Sequence, residues 1–231
     1  MDSHLLTPPN PALKVRKRPR QARSVLTVNA ILEAAARILE SDGLQMFNTN
    51  AIAYRAGVSV GSLYQYFPTK GAVLRELIRR KRAELVSAME RQQQQAQGMD
   101  LPGAIDGFIR TAIANQLDRP QLARILEYVE AVSPADRETE TIKQKIVATV
   151  ALSLAERGIA DAALAARDVV ALTRGMVDAA GLFGEADIPT LEARIRRAIY
   201  GYLDLSAPTQ VQHVIATAPR SVSRGRERCR G

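Results

Sequence analysis

Residues 51–67 read AIAYRAGVSVGSLYQYF, and their spacing decides the fold: two short helices joined by a tight turn. Ile52, Ala53 and Ala56 recur at helical spacing, and Asn48 with Thr49 supplies a polar cap at the start. Gly57 then bends the chain without a side-chain clash, and Val58 plugs the corner. Ser59 caps a second helix whose Leu63 and Phe67, four apart, lie one above the other on the buried face. This leaves Val60, Gly61, Ser62, Tyr64, Gln65 and Tyr66 outward, a set of small, hydroxyl and amide groups with no acid among them. Such a surface can approach the phosphate oxygens and base edges of DNA. Five of the ten aromatic residues (Phe47, Tyr54, Tyr64, Tyr66, Phe67) fall in this region, so it is the one place where the chain concentrates large rings.

The run from Gly57 to Lys70, GVSVGSLYQYFPTK, resembles the N-terminal DNA-binding domain of the tetracycline-repressor (TetR) family of bacterial transcription regulators. That family's pattern is a helix ending I-A-x-x-A-G-V-S, then x-x-[ST]-L-Y-x-[HY]-F-x-x-K, and the chain matches it at nearly every fixed place. The resemblance implies double-stranded DNA with a palindromic operator as partner, met by Asn48, Thr49, Val60, Gly61, Ser62, Tyr64, Gln65, Tyr66 and Lys70. Within that set Tyr64, Tyr66 and Lys70 are expected on phosphates, and Ser62 and Gln65 on bases, with Val60 and Gly61 lining the approach. Val60 stands where the family often has a polar residue, which leaves apolar contact to a thymine methyl at that place.

Working outward, 231 residues can bury a substantial core, and 46% hydrophobic with 24% charged residues is ordinary for a globular protein. The formal charge of +8 is unevenly placed. Lys14, Arg16, Lys17, Arg18, Arg20 and Arg23 lie in a stretch without acids, and five arginines crowd the last twelve residues, whereas residues 27–206 hold 21 basic against 22 acidic side chains. The expected organisation is a flexible basic arm at 1–26, a helix-turn-helix domain at 27–72, a helical ligand-binding and dimerisation domain at 73–206, and a disordered basic tail at 207–231. The apolar runs are too short to span a bilayer and no signal-peptide core follows the start, so the expected compartment is the cytoplasm.

Helical periodicity persists through the rest, and no strand-like alternation survives, so the fold class is all-α. A first helix spans 27–41, and Thr69 caps a long helix from 70 to about 97. Asp100 with Pro102 opens 101–117, Asp118 with Pro120 opens the next, and Ser133 with Pro134 opens a helix to 157. The last two helices, 163–183 and 189–205, differ in kind. Val169, Val170, Leu172, Met176, Val177, Ala180 and Phe183 cover more than one stripe, which asks for two partners. One is the chain's own core. The other is a second subunit, packed with Leu191, Ile195, Ile199 and Tyr202 as a four-helix interface; the family resemblance implies a homodimer through these helices too.

Catalytic chemistry finds few residues to work with. His4 and His213 both lie in the expected flexible ends, Cys229 stands alone, and no Gly-rich phosphate loop, H-E-x-x-H or G-x-S-x-G occurs, so neither enzyme, cofactor nor metal site is expected. A ligand cavity is expected among Phe108, Ile109, Ala112, Leu126, Tyr128 and Met176, where large side chains beside alanines and glycines leave room. With Gln116, Tyr128 and Arg174 as its polar groups it suits a mostly hydrophobic small molecule. Arg174 and Asp178, one turn apart, read most simply as a helix salt bridge. The leading function is a dimeric, ligand-responsive DNA-binding repressor. The competing class is an all-α enzyme or partner-binding bundle with an accidental helix-turn-helix pattern, and a third is a regulator without ligand response.

Overall fold

The computed structural model describes residues 22–132 and 137–205; among them it contains nine α-helices and no strand. The expected helix-turn-helix domain, the reader unit, is built from α1 (Ala22–Asp42), α2 (Thr49–Ala56) and α3 (Val60–Tyr66). From it α4 (Lys70–Gln95) runs into a bundle of α5 (Leu101–Leu117), α6 (Pro120–Val132), α7 (Arg137–Glu156), α8 (Ala162–Phe183) and α9 (Ile188–Tyr202). The all-α expectation holds over these residues, and no helix there is long and apolar enough to cross a membrane.

The α2–α3 corner forms as its residues dictate. Asn48 Oδ1 accepts from the Ala51 amide at 2.9 Å and starts α2. Gly57 ends it at φ 67°, ψ 30°, a conformation other residues adopt only with strain. The Gly57 amide donates to Tyr54 and the Val58 amide to Ala53, closing the helix with paired reverse bonds. Ser59 Oγ accepts from the Ser62 amide at 3.0 Å and Thr69 Oγ1 from the Ala72 amide at 3.1 Å, so α3 and α4 are capped in the same way.

One core joins α1, α2, α3 and the start of α4 around Ile31, Leu39, Phe47, Ile52, Leu63, Phe67 and Val73. It also takes in Leu122 and Leu126 of α6, so the bundle contributes a wall to the reader. Beside that contact Arg119 donates two bonds to Glu40, at 2.7 and 2.5 Å, and one to Glu33 at 3.1 Å, tying the α5–α6 corner to α1. The second core is formed by α4, α5, α7, α8 and α9 around Met89, Phe108, Ile109, Val150, Leu154, Val169 and Ile195.

Two expectations change. α1 begins at Ala22 rather than 27: its first turns carry exposed Val25 and Leu26 and extend a helix already nucleated further along, which sequence periodicity does not mark. Leu191, Ile195 and Ile199, expected at a subunit interface, are fully buried within their own chain, because α9 has a single apolar stripe and the bundle uses it. The exposed apolar row lies on α8 instead. Leu164, Asp168, Leu172, Gly175, Ala179 and Leu182 step by three and four, and Leu164, Leu172 and Leu182 stand out into solvent from this row, whose other members are small or polar, with Phe183 82% exposed at the end. Tyr202 is exposed and donates its hydroxyl hydrogen to Asp168 at 2.7 Å. The expected arm through residue 21, the Ser133–Pro134 cap, the last residue of the expected bundle domain (206) and the expected tail 207–231 lie outside the described residues.

Candidate nucleic-acid interface and bundle cavity

On α3 the chain turns Val60, Gly61, Tyr64 and Gln65 outward, while Leu63 and Phe67 are sealed inside. Tyr66 corrects the expectation: it is 8% exposed and belongs to the reader core. Leu63, Tyr66 and Phe67 follow i, i+3, i+4 spacing, so all three share the buried face. Ser62 is half-buried, its hydroxyl 2.8 Å from Ser59 Oγ and its amide committed to that cap. Tyr64 Oη lies 3.2 Å from Thr49 Oγ1, which fixes the tyrosine ring across the start of α2. Asn48 is exposed, its side-chain amide donating to Met46 O at 3.0 Å, and Lys70 is exposed at the first residue of α4.

Gly61 is informative by what is missing around it. A Cβ there would meet only Ser59 Oγ at 3.9 Å, and the residue has ordinary helical geometry, so the chain's own packing does not require glycine. In a helix glycine costs up to about 1 kcal/mol relative to alanine. A glycine on an open helix face also lets another molecule approach the backbone closely. The surrounding charge agrees: from residue 43 to 75 there is no acid, while Arg55, Lys70 and Arg75 are cationic. Tyr54, outside the expected contact set, is 91% exposed on α2, where its spacing from Ile52 and Ala53 puts it on the solvent side.

A cavity of about 460 Å³ opens within the bundle, inside the range of roughly 300–1,000 Å³ usual for small-molecule sites. Of the expected residues, Phe108, Ile109, Ala112, Gln116 and Arg174 line it. Leu126, Tyr128 and Met176 do not. Leu126 is spent on the reader core, Tyr128 is 61% exposed on the outer side of α6, and Met176 packs as partly buried filler beside the second core. The inner walls are apolar, including Met89, Ile105, Val150 and Leu154.

A charged wall that the sequence did not reveal closes one side, because its members come from four helices. Glu127 of α6 accepts from both Arg82 of α4 and Arg174 of α8. Arg82 also donates to Glu130 at 2.6 Å, and Glu130 pairs with Lys143 of α7 at 2.6 Å. Burial alone would raise the Glu130 pKa, but the bonds from Lys143 and Arg82 outweigh it and hold the carboxyl below its ordinary value. Asp178 is the opposite case. It accepts from Gln116 at 2.9 Å and from Arg174 at 3.4 Å, yet burial first, and the nearby Glu127 second, push its pKa up. Arg174 and Asp178 are thus parts of a network, not an isolated helix pair.

Two family models match the chain. One, bacterial regulatory proteins of the tetR family, covers residues 31–77, and the other, the tetracyclin repressor-like C-terminal domain, covers residues 100–203. The nucleoid occlusion factor SlmA of Haemophilus ducreyi is 30% identical over 117 residues, 50% of this chain and 55% of that protein. The chain therefore spans about half the length of the curated relatives it matches. Among solved structures, the fatty acid degradation regulator FadR from Bacillus halodurans superposes with a TM-score of 0.65 at 18% identity, covering 82% of this chain and 100% of that one. SmeT, the repressor of the Stenotrophomonas maltophilia multidrug efflux pump SmeDEF, gives 0.59 at 20% identity, with 76% and 89% covered. At these identities the likeness speaks to the fold.

Proposed function

Because the chain belongs to the tetR family of bacterial regulatory proteins, we propose that it is a homodimeric repressor working in the cytoplasm, released from a palindromic operator when a small, mostly hydrophobic molecule fills the bundle cavity. The observation that carries the DNA half is the acid-free outward row of α3, bare at Gly61 where nothing in the chain calls for glycine. In this reading Tyr64 and Lys70 take phosphates, helped by the free amides at the start of α4. Asn48 and Thr49 sit at the backbone beside them, and Gln65 and Ser62 reach base edges past Val60 and Gly61. Tyr66 acts from beneath, as the core residue that sets the height of α3. The reading assigns the chain no catalytic step.

The exposed α8 row of Leu164, Leu172 and Leu182 supports the dimer, since an apolar row of this kind invites a second copy related by a two-fold axis. Ligand release has a physical route in α6. Glu127 on the cavity wall directly follows Leu126 in the reader core, and α4 carries Arg82 at the same wall. A ligand that shifts the wall therefore moves helices that hold both readers, whose separation must match about one turn of DNA, roughly 34–36 Å. It lowers operator affinity only to the extent that it prefers the mismatched state. The test is operator affinity with and without a compound that raises the melting temperature. Loss of affinity is expected; unaltered affinity with every stabilising compound leaves the bundle with dimerisation alone.

A further inference from the structure

We propose that the molecule taken by the bundle cavity is an amphipathic anion, an acid head on an apolar tail, with the tail among α4, α5 and α7 and the head at the α8 rim between Arg167 and Arg174. This rests on the sensor reading above and adds the chemical class of the ligand. The inner walls take a tail of any chemistry, so the choice is made at the rim. Four cations line the cavity, Arg82, Lys143, Arg167 and Arg174, against two acids, Glu127 and Asp178.

Each acid is already engaged: Glu127 by Arg82 and Arg174, Asp178 by Gln116 and Arg174. Behind the wall Glu130 offsets Arg82 and Lys143, and Glu140 lies 4.0 Å from Lys143. The neighbouring Asp168 is turned to Tyr202. Arg167 makes no ion pair or hydrogen bond among the described residues, and it stands two turns from Arg174 on the same side of α8, with Ala171 between them. Two guanidinium groups stand over the apolar mouth, Arg167 unpaired among the described residues and Arg174 bonded to Asp178 and to the Glu127 it shares with Arg82, and an unpaired guanidinium there matches a planar carboxylate or a similar oxyanion. A cationic head would meet Arg167, the one cation of the lining without an acid among the described residues. A neutral head would leave Arg167 unused.

The discriminating experiment titrates the full chain, without DNA, with three probes sharing a ten-carbon tail: decanoate, decanol and decyltrimethylammonium, each below its micelle concentration. Decanoate is expected to bind at least about tenfold more tightly than either of the others, and Arg167→Gln is expected to bring it down toward decanol while circular dichroism stays unchanged. Equal or tighter binding of decanol or of the ammonium probe, or decanoate binding indifferent to Arg167→Gln, overturns the anionic class but keeps a ligand-binding cavity. Binding of none of the three overturns both the class and the sensor reading.

Discussion

Gly57 and Gly61 sit four residues apart and are glycine for opposite reasons. Gly57 holds φ 67°, so Gly57→Ala is expected to lower stability by about 1–2 kcal/mol, measurable by denaturant unfolding. Gly61 has open space above it, so Gly61→Ala is expected to leave stability equal or raise it by up to about 1 kcal/mol while weakening DNA binding. A stable Gly61→Ala protein with undiminished DNA affinity would remove the close-approach role. Lys70→Ala should weaken binding to all duplexes alike and reduce the salt slope by about one unit. Asp178 offers a pH signature. Its pKa is raised above the ordinary 3.8 in the folded chain, so its charge opposes folding at neutral pH, and that opposition fades as pH falls through the raised value. Asp178→Asn should therefore be neutral or stabilising at pH 7, with the difference vanishing toward acid pH in melting curves. At this scale the corner glycine and the caps Asn48, Ser59, Thr69 and Asp100 were legible, since each is a local residue choice, whereas Asp118, expected to open α6, instead closes α5 in helical geometry with its amide on Ala114. Tyr66 was not, because counting only i+4 partners overlooks the i+3 neighbour that a seven-residue helix also buries.

Among the elements, α6 and α8 carry what periodicity alone could not assign. The apolar stripe of α6 was readable, but whether Leu122 and Leu126 face the bundle or the reader depends on how a later helix folds back onto α1. The Arg119 clamp on that contact is half at the surface, so its contribution is expected to stay under about 1 kcal/mol. Glu33 within the clamp is held below its usual 4.5 by Arg37 first and Arg119 with it. Its stabilisation is therefore present above 4.5 and lost as pH falls through the lowered folded value. A melting-temperature deficit of Arg119→Ala at pH 7 that narrows below pH 4.5 would bear this out. On α8 the width of the apolar surface was legible, but periodicity could not say which of its residues the chain's own bundle buries and which it leaves exposed. Leu182→Glu is expected to yield a monomer of unchanged helix content in sedimentation; an intact dimer would move the interface elsewhere.

For the whole molecule, charge placement matters more than the sum of +8, since residues 27–206 are close to neutral and the basic side chains crowd the ends. Removing residues 1–21 should leave the fold and the proposed dimer intact and reduce DNA affinity, with the loss largest at low salt, where the arm's cations contribute most, and shrinking as salt rises. Equal affinity across a salt series would make the arm a bystander. The reader was legible because its motif is contiguous, whereas the cavity wall joins Arg82, Glu127, Lys143 and Arg174 from helices far apart in sequence. Operator recognition is tested most directly by selecting bound duplexes from a random pool with the full chain. The expected product is a two-fold symmetric site, bound by two chains, with half-sites about 10–10.5 base pairs apart or a multiple of that, and a Kd of about 10 nM or tighter at physiological salt. A recovered pool no different from the input, bound only through nonspecific salt-sensitive contacts, contradicts it.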